Sequence, residues 1–171
     1  EYARAKRLAL TTRDPAVVAE AMRLLGRDAI ESERAWYVLE GPSCPDVFLE
    51  TDDLIVVIEG KRTESGPTTA TSWMPLRHQM LRHIDAVWDT RDGRQCVGFF
   101  IVESGAAGET PNHWLNAARQ TTKPNVLAQS LPHRSQEVRT QIADAFLGVT
   151  TWQMVCRALS IPQAVLIDQV I

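Results

Sequence analysis

Lysine is nearly missing from this chain. Of its 18 basic residues only Lys6, Lys61 and Lys123 are lysine, and the rest are arginine. A lysine here is the exception, so its position carries information. Cysteine is also scarce: Cys44, Cys96 and Cys156 stand far apart, odd in number and with no CxxC pair. That excludes a disulfide scaffold and predicts reduced thiols in a cytoplasmic protein. The four histidines, His78, His83, His113 and His133, lack HExxH or zinc-finger spacing, which argues against a zinc site. No apolar run approaches the ~18 residues of a membrane span. The net charge of −3 rules out a globally basic nucleic-acid coat but leaves room for a local basic groove. The start, EYARAKRLAL, has no initiator Met and no secretory pattern, as expected of the cut end of a longer chain.

What is present is enough for a core. The 171 residues are 44% hydrophobic, which suits one domain. Asp14-Pro15 followed by AVVAEAMRLLG reads as a capped helix that stops at Gly26. Its apolar stripe is Val18, Ala21, Met22 and Leu25. RDAIESER could extend that helix. AWYVLEG reads as a short strand and GPSCP as a turn. PDVFLET is a second strand, Asp52-Asp53 a turn, and LIVVIEGK a strand buried on both faces near the middle of a sheet. After a polar loop, MPLRHQMLRHIDAVWDT has helical periodicity, and QCVGFFIVES is another strand. Thr110-Pro111 opens a short helix, Ser135 caps SQEVRTQIADAFLG, and Thr151 caps WQMVCRAL. The end, IPQAVLIDQVI, could be strand or helix, and strand is the preferred reading. The order predicts an α/β domain with a mixed sheet.

One hairpin concentrates the chemistry. With Asp52 and Asp53 as the turn, Thr51 faces Leu54 and Asp46 faces Glu59. Opposed residues of an antiparallel pair point to one side of the sheet, with Cβ atoms about 4.5–5.5 Å apart. Lys61 lies two residues past Glu59 and shares that side. Facing acids repel, and a hard divalent cation offsets the cost. The Gly60 carbonyl could supply a further oxygen. Metal beside lysine suits phosphodiester hydrolysis: the ion activates water, and a lysine can orient it or neutralise developing charge.

Pro45-Asp46, twelve intervening residues and Glu59-Gly60-Lys61 resemble the motif of the PD-(D/E)XK nuclease superfamily. The element order αβββαβ over about residues 14–103 resembles its restriction-endonuclease-like core, with a C-terminal helical extension over about 110–171. The resemblance implies a DNA-cutting enzyme that uses Mg²⁺ or Mn²⁺. Asp46 and Glu59 would bind the ion, and Lys61 would assist the attacking water. It also points to an acid on the first helix, Glu20 or alternatively Glu33, and to Gln79 on the helix after the ExK strand. His83 stands where one branch has a tyrosine four residues after that glutamine. Arg62, Arg77, His78, Arg82 and His83 are candidates for phosphate contact. Cutting both strands would favour a two-fold homodimer.

Two other readings compete. The fold could be kept as a nucleic-acid-binding or assembly module that does not cut. An unrelated α/β protein would carry Asp46 and Glu59 on different faces of the sheet. GAAGET lacks the Lys-Ser/Thr ending of a phosphate loop, and no GxSxG occurs. Trp36, Trp73, Trp88, Trp114 and Trp152 are read as core residues, with Trp73 the one placed to stack on a base.

Overall fold

A computed structural model describes residues 1–25, 43–74, 76–104 and 108–166. Two helices lead, α1 (Tyr2–Thr11) and α2 (Pro15–Leu25). The Asp14 carboxylate accepts from the Ala16 and Val17 amides, so the expected cap forms. The buried stripe of α2 is Val17, Ala21 and Leu24. Met22, expected on that stripe, is exposed. These residues pack with Leu10, Trp73 and Met74 as a small second core. Burial of Trp73 there removes it as a base-stacking platform. Gly26, Glu33, Trp36 and the strand read over AWYVLEG lie outside the described residues.

The sheet contains β1 (Val47–Glu50), β2 (Leu54–Lys61), β3 (Gln95–Val102) and β4 (Phe146–Thr151), in that spatial order. β1 runs antiparallel to β2, while β2, β3 and β4 are mutually parallel. The hairpin register pairs Val47 with Ile58 and Glu50 with Ile55, as the Asp52-Asp53 turn requires. Thr51 closes the turn: its amide donates to the Leu54 carbonyl at 2.9 Å, and its Oγ1 accepts from the Leu54 amide at 3.0 Å.

β2 is central, but it is not buried on both faces. Ile55, Val57 and Glu59 are buried, whereas Leu54, Val56 and Ile58 are half-exposed. The buried face lies under α3 (Gln79–Trp88), α4 (Asn112–Thr121), α5 (Pro124–Ser130) and α6 (Gln136–Ala145). Met80, Leu81 and Ile84 of α3 meet Ile55, Val57 and Phe100 there. Helix α3 begins later than its periodicity suggests. Leu76 has φ +66°, which breaks the helical path before Gln79.

The C-terminal third departs from the reading in two places. FLG, expected at the tail of a helix, opens β4 instead. IPQAVLIDQVI, expected as a strand, has a 3₁₀ turn at Gln163–Leu166. Ser135 and Thr151 do cap α6 and α7 (Trp152–Ala158). No helix among the described residues is long and apolar enough to cross a membrane.

Candidate active site at the end of the central strand

Strand alternation places Glu59 and Lys61 on the α3 side of β2, and Gly60 on the other. Helix α3 starts opposite them. Gln79 and His83, four residues apart, lie on one face of that helix and both reach Glu59. Glu59 is only 5% exposed. Its Oε1 lies 3.0 Å from Lys61 Nζ and accepts from Gln79 Nε2 at 2.6 Å. Its Oε2 lies 3.3 Å from His83 Nε2. The Glu64 Oε1 stands 3.6 Å from the other side of Lys61 Nζ. His83 is anchored behind by Ser43, whose Oγ is 2.6 Å from Nδ1.

This arrangement fixes the charges. Burial pushes the Glu59 carboxyl up, but the adjacent His83 and Lys61 reverse that and hold it below its ordinary value. Burial pulls the Lys61 ammonium down, and Glu59 and Glu64 more than restore it. Glu59 is therefore an anion and Lys61 a cation at neutral pH. A protonated lysine donates hydrogen bonds and neutralises charge; it does not take a proton from water.

Asp46 lies one residue before β1, and continuing the register sets it opposite Glu59. Its Oδ2 accepts from the Gly60 amide at 2.7 Å. The Lys61 carbonyl accepts from Glu103 on the β3 side. Peptide groups alternate along a strand, so the Gly60 amide and carbonyl both point to the β1 side. A Cβ on Gly60 would sit 3.1 Å from the Trp152 ring and 3.5 Å from Asp46 Oδ2. Glycine here keeps Trp152 and Asp46 close to the strand.

Several expected residues stand elsewhere. The Glu20 carboxylate meets Lys6 Nζ on α1 at 2.5 Å and serves the helical hairpin. Arg77 is buried, donating to the Ser130 carbonyl at 3.0 Å and to Asp85 Oδ2 at 2.9 Å, so it is not a phosphate contact. His78 is 2% exposed and packs against Phe100 and Phe146. Its pKa is lowered to about 4 by burial and by His83, which makes it a neutral core residue. His83 is likewise buried against Glu59 rather than facing solvent. Arg82 is half-buried. Arg62 is exposed beside Lys61, 3.4 Å from Glu103, and remains available to a phosphate. Sequence reading missed Ser43, Glu64 and Trp152. The helical spacing of Gln79 and His83 was the one signal that pointed to the role of His83.

Glu59 offers part of a divalent-cation site. Glu59 Oε2 and Gln79 Oε1 are buried with no hydrogen-bond donor, which is costly unless a cation or water satisfies them. Asp46 and the Gly60 carbonyl add hard oxygens on the adjacent edge. Among the described residues no three His, Cys, Asp or Glu side chains are gathered to hold a metal ion. Such a site would therefore lean on backbone, amide, water or substrate oxygens. No protein-family model matches this chain, and no curated protein or solved structure is significantly similar to it.

Proposed function

We propose that this chain is a metal-dependent nuclease of restriction-endonuclease-like fold that hydrolyses DNA phosphodiester bonds. The observation that carries the reading is the buried Glu59 anion. It is held by Lys61 and Gln79 at the end of the central strand, with Asp46 across the hairpin. Asp46, Glu59 and the Gly60 carbonyl would hold Mg²⁺ or Mn²⁺. Bound there, the ion would lower the pKa of a coordinated water and offset phosphate charge.

The protein groups divide the remaining work. Gln79 Nε2 fixes the Glu59 carboxylate, and its donor-free Oε1 can accept a hydrogen bond from the attacking water. Lys61 donates to that water or to a phosphate oxygen, and its positive charge stabilises the phosphorane. Arg62 positions the neighbouring phosphate. The α3 helix holds Gln79 against Glu59, so the constellation is set before substrate arrives.

The test is cleavage of labelled single- and double-stranded DNA with Mg²⁺, Mn²⁺ or EDTA, comparing the wild type with Asp46→Asn and Glu59→Gln. Metal-dependent cutting that drops about 10²-fold or more in both variants supports the reading. Cutting that persists in both overturns it.

A further inference from the structure

Glu59 Oε2 and His83 Nε2 are both buried, 3.3 Å apart, and neither makes a hydrogen bond. The two side chains are 7% and 1% exposed. A protonated ring meets Glu59 here as an ion pair, and a neutral one turns a bare Nε2 lone pair to the same oxygen, an arrangement that a shared cation would relieve. Two ligands about 2.1 Å from one ion stand about 3.0 Å apart at a right angle and about 3.4 Å apart at the tetrahedral angle. The observed separation falls in that interval. The far nitrogen of His83 is already engaged, with Ser43 Oγ at 2.6 Å. A ligating histidine typically donates its other ring N–H to such a partner, which fixes the tautomer that leaves the ligating nitrogen bare. Gln79 Oε1, also buried without a donor, belongs to the same cluster.

We propose that His83 Nε2 is a metal ligand beside Glu59 Oε2, with Ser43 holding the ring in the ligating tautomer. The proposal rests on a divalent cation being bound at Glu59, as in the function proposed above. It adds a consequence that an all-oxygen site lacks. Mg²⁺ prefers oxygen, whereas a neutral imidazole favours a first-row transition metal, so the site should select Mn²⁺ over Mg²⁺.

The test is metal binding, read separately from cleavage. Mn²⁺ is titrated into the full chain and followed by the loss of its free electron-paramagnetic signal, with Mg²⁺ as competitor. Wild type is expected to bind Mn²⁺ about tenfold tighter than Mg²⁺. His83→Ala should collapse that preference, and Ser43→Ala should weaken Mn²⁺ by about tenfold. If His83→Ala does not fold, Cd²⁺ binding to nitrogen-labelled wild type decides. A cadmium–nitrogen scalar coupling at His83 Nε2 supports direct ligation, and bound Cd²⁺ without that coupling overturns it. An unchanged Mn²⁺ to Mg²⁺ ratio in folded His83→Ala also overturns the inference, even where Glu59-dependent cleavage sustains the nuclease. Mn²⁺ binding that requires both His83 and Glu59 sustains the inference, even where no DNA is cut and the nuclease reading fails.

Discussion

Glu59 shows how one carboxylate is tuned by three side chains from two elements. Lys61 comes two residues later on β2, while Gln79 and His83 come from the start of α3. The hairpin register and the Glu59–Lys61 pair were legible because strand alternation and a short turn fix which residues share a face, whereas the Asp46 carboxylate is turned to the Gly60 amide. Glu20, by contrast, belongs to the Lys6 pair. Glu20→Ala is expected to leave metal-dependent cleavage within twofold of wild type, as measured by the initial cutting rate. His78 gives a pH prediction. Its folded pKa, about 4, lies below the ordinary 6.5, so the unfolded chain binds the extra proton between those values. Stability is then full above about pH 6.5 and falls towards pH 4, by about 3 kcal/mol from this residue. Glu59 adds to the acid side: its held-down carboxylate stabilises the fold above the ordinary range, and this is lost as pH falls through its lowered pKa. Urea unfolding at pH 7 and pH 4.5 should show the decline, and His78→Leu should flatten it. An undiminished slope in that variant would mean that His78 is not held neutral.

At the scale of elements, α3 is the part that makes the site. It packs on β3 through Gly98, where a Cβ would stand 2.7 Å from Met80 Sδ and 2.9 Å from Ile84. Gly98→Ala should therefore push α3 outward. It should cost about 1–3 kcal/mol in urea unfolding and slow cleavage by displacing Gln79 and His83. The far side of the helix is pinned by Asp85, which takes Arg77 at 2.9 Å, Arg134 at 2.7 Å and His133 at 3.1 Å. His133, Arg77 and Arg134 hold its carboxyl far below the usual range, against the effect of burial. Asp85→Ala leaves the buried Arg77 guanidinium without this partner, so unfolding free energy should drop by about 3–5 kcal/mol. Arg77 and His78 were misread as surface groups for a related reason. Their burial is decided by Ser130, Asp85 and Phe146, none of which local sequence pattern places beside them. The strand β4 was hidden likewise: FLGVTT continues a helical segment in sequence, and only pairing with Gly98–Val102 of β3 makes it a strand.

For the whole molecule, the sequence announced an α/β chain with a mixed sheet, and the described residues form one of four strands beside seven α-helices. The core lies on the α3 face, and the other face of β2 is half-exposed. That asymmetry was not legible, because a continuous LIVVI run reads the same whether one face or both are covered. The proposed active site sits where the β1–β2 hairpin ends and α3 begins, and β2 and α3 both contribute to the main core. Lys61 is the residue on which this account depends most. The decisive measurement is cleavage of labelled double-stranded DNA in Mn²⁺ or Mg²⁺ by wild type and by Lys61→Ala, with Mn²⁺ binding measured on both. The account predicts EDTA-sensitive cutting by wild type, a loss of about 10²-fold or more in Lys61→Ala, and Mn²⁺ binding retained in that variant. Equal cutting by the two proteins, or no metal-dependent cutting by wild type on either single- or double-stranded DNA, would contradict it.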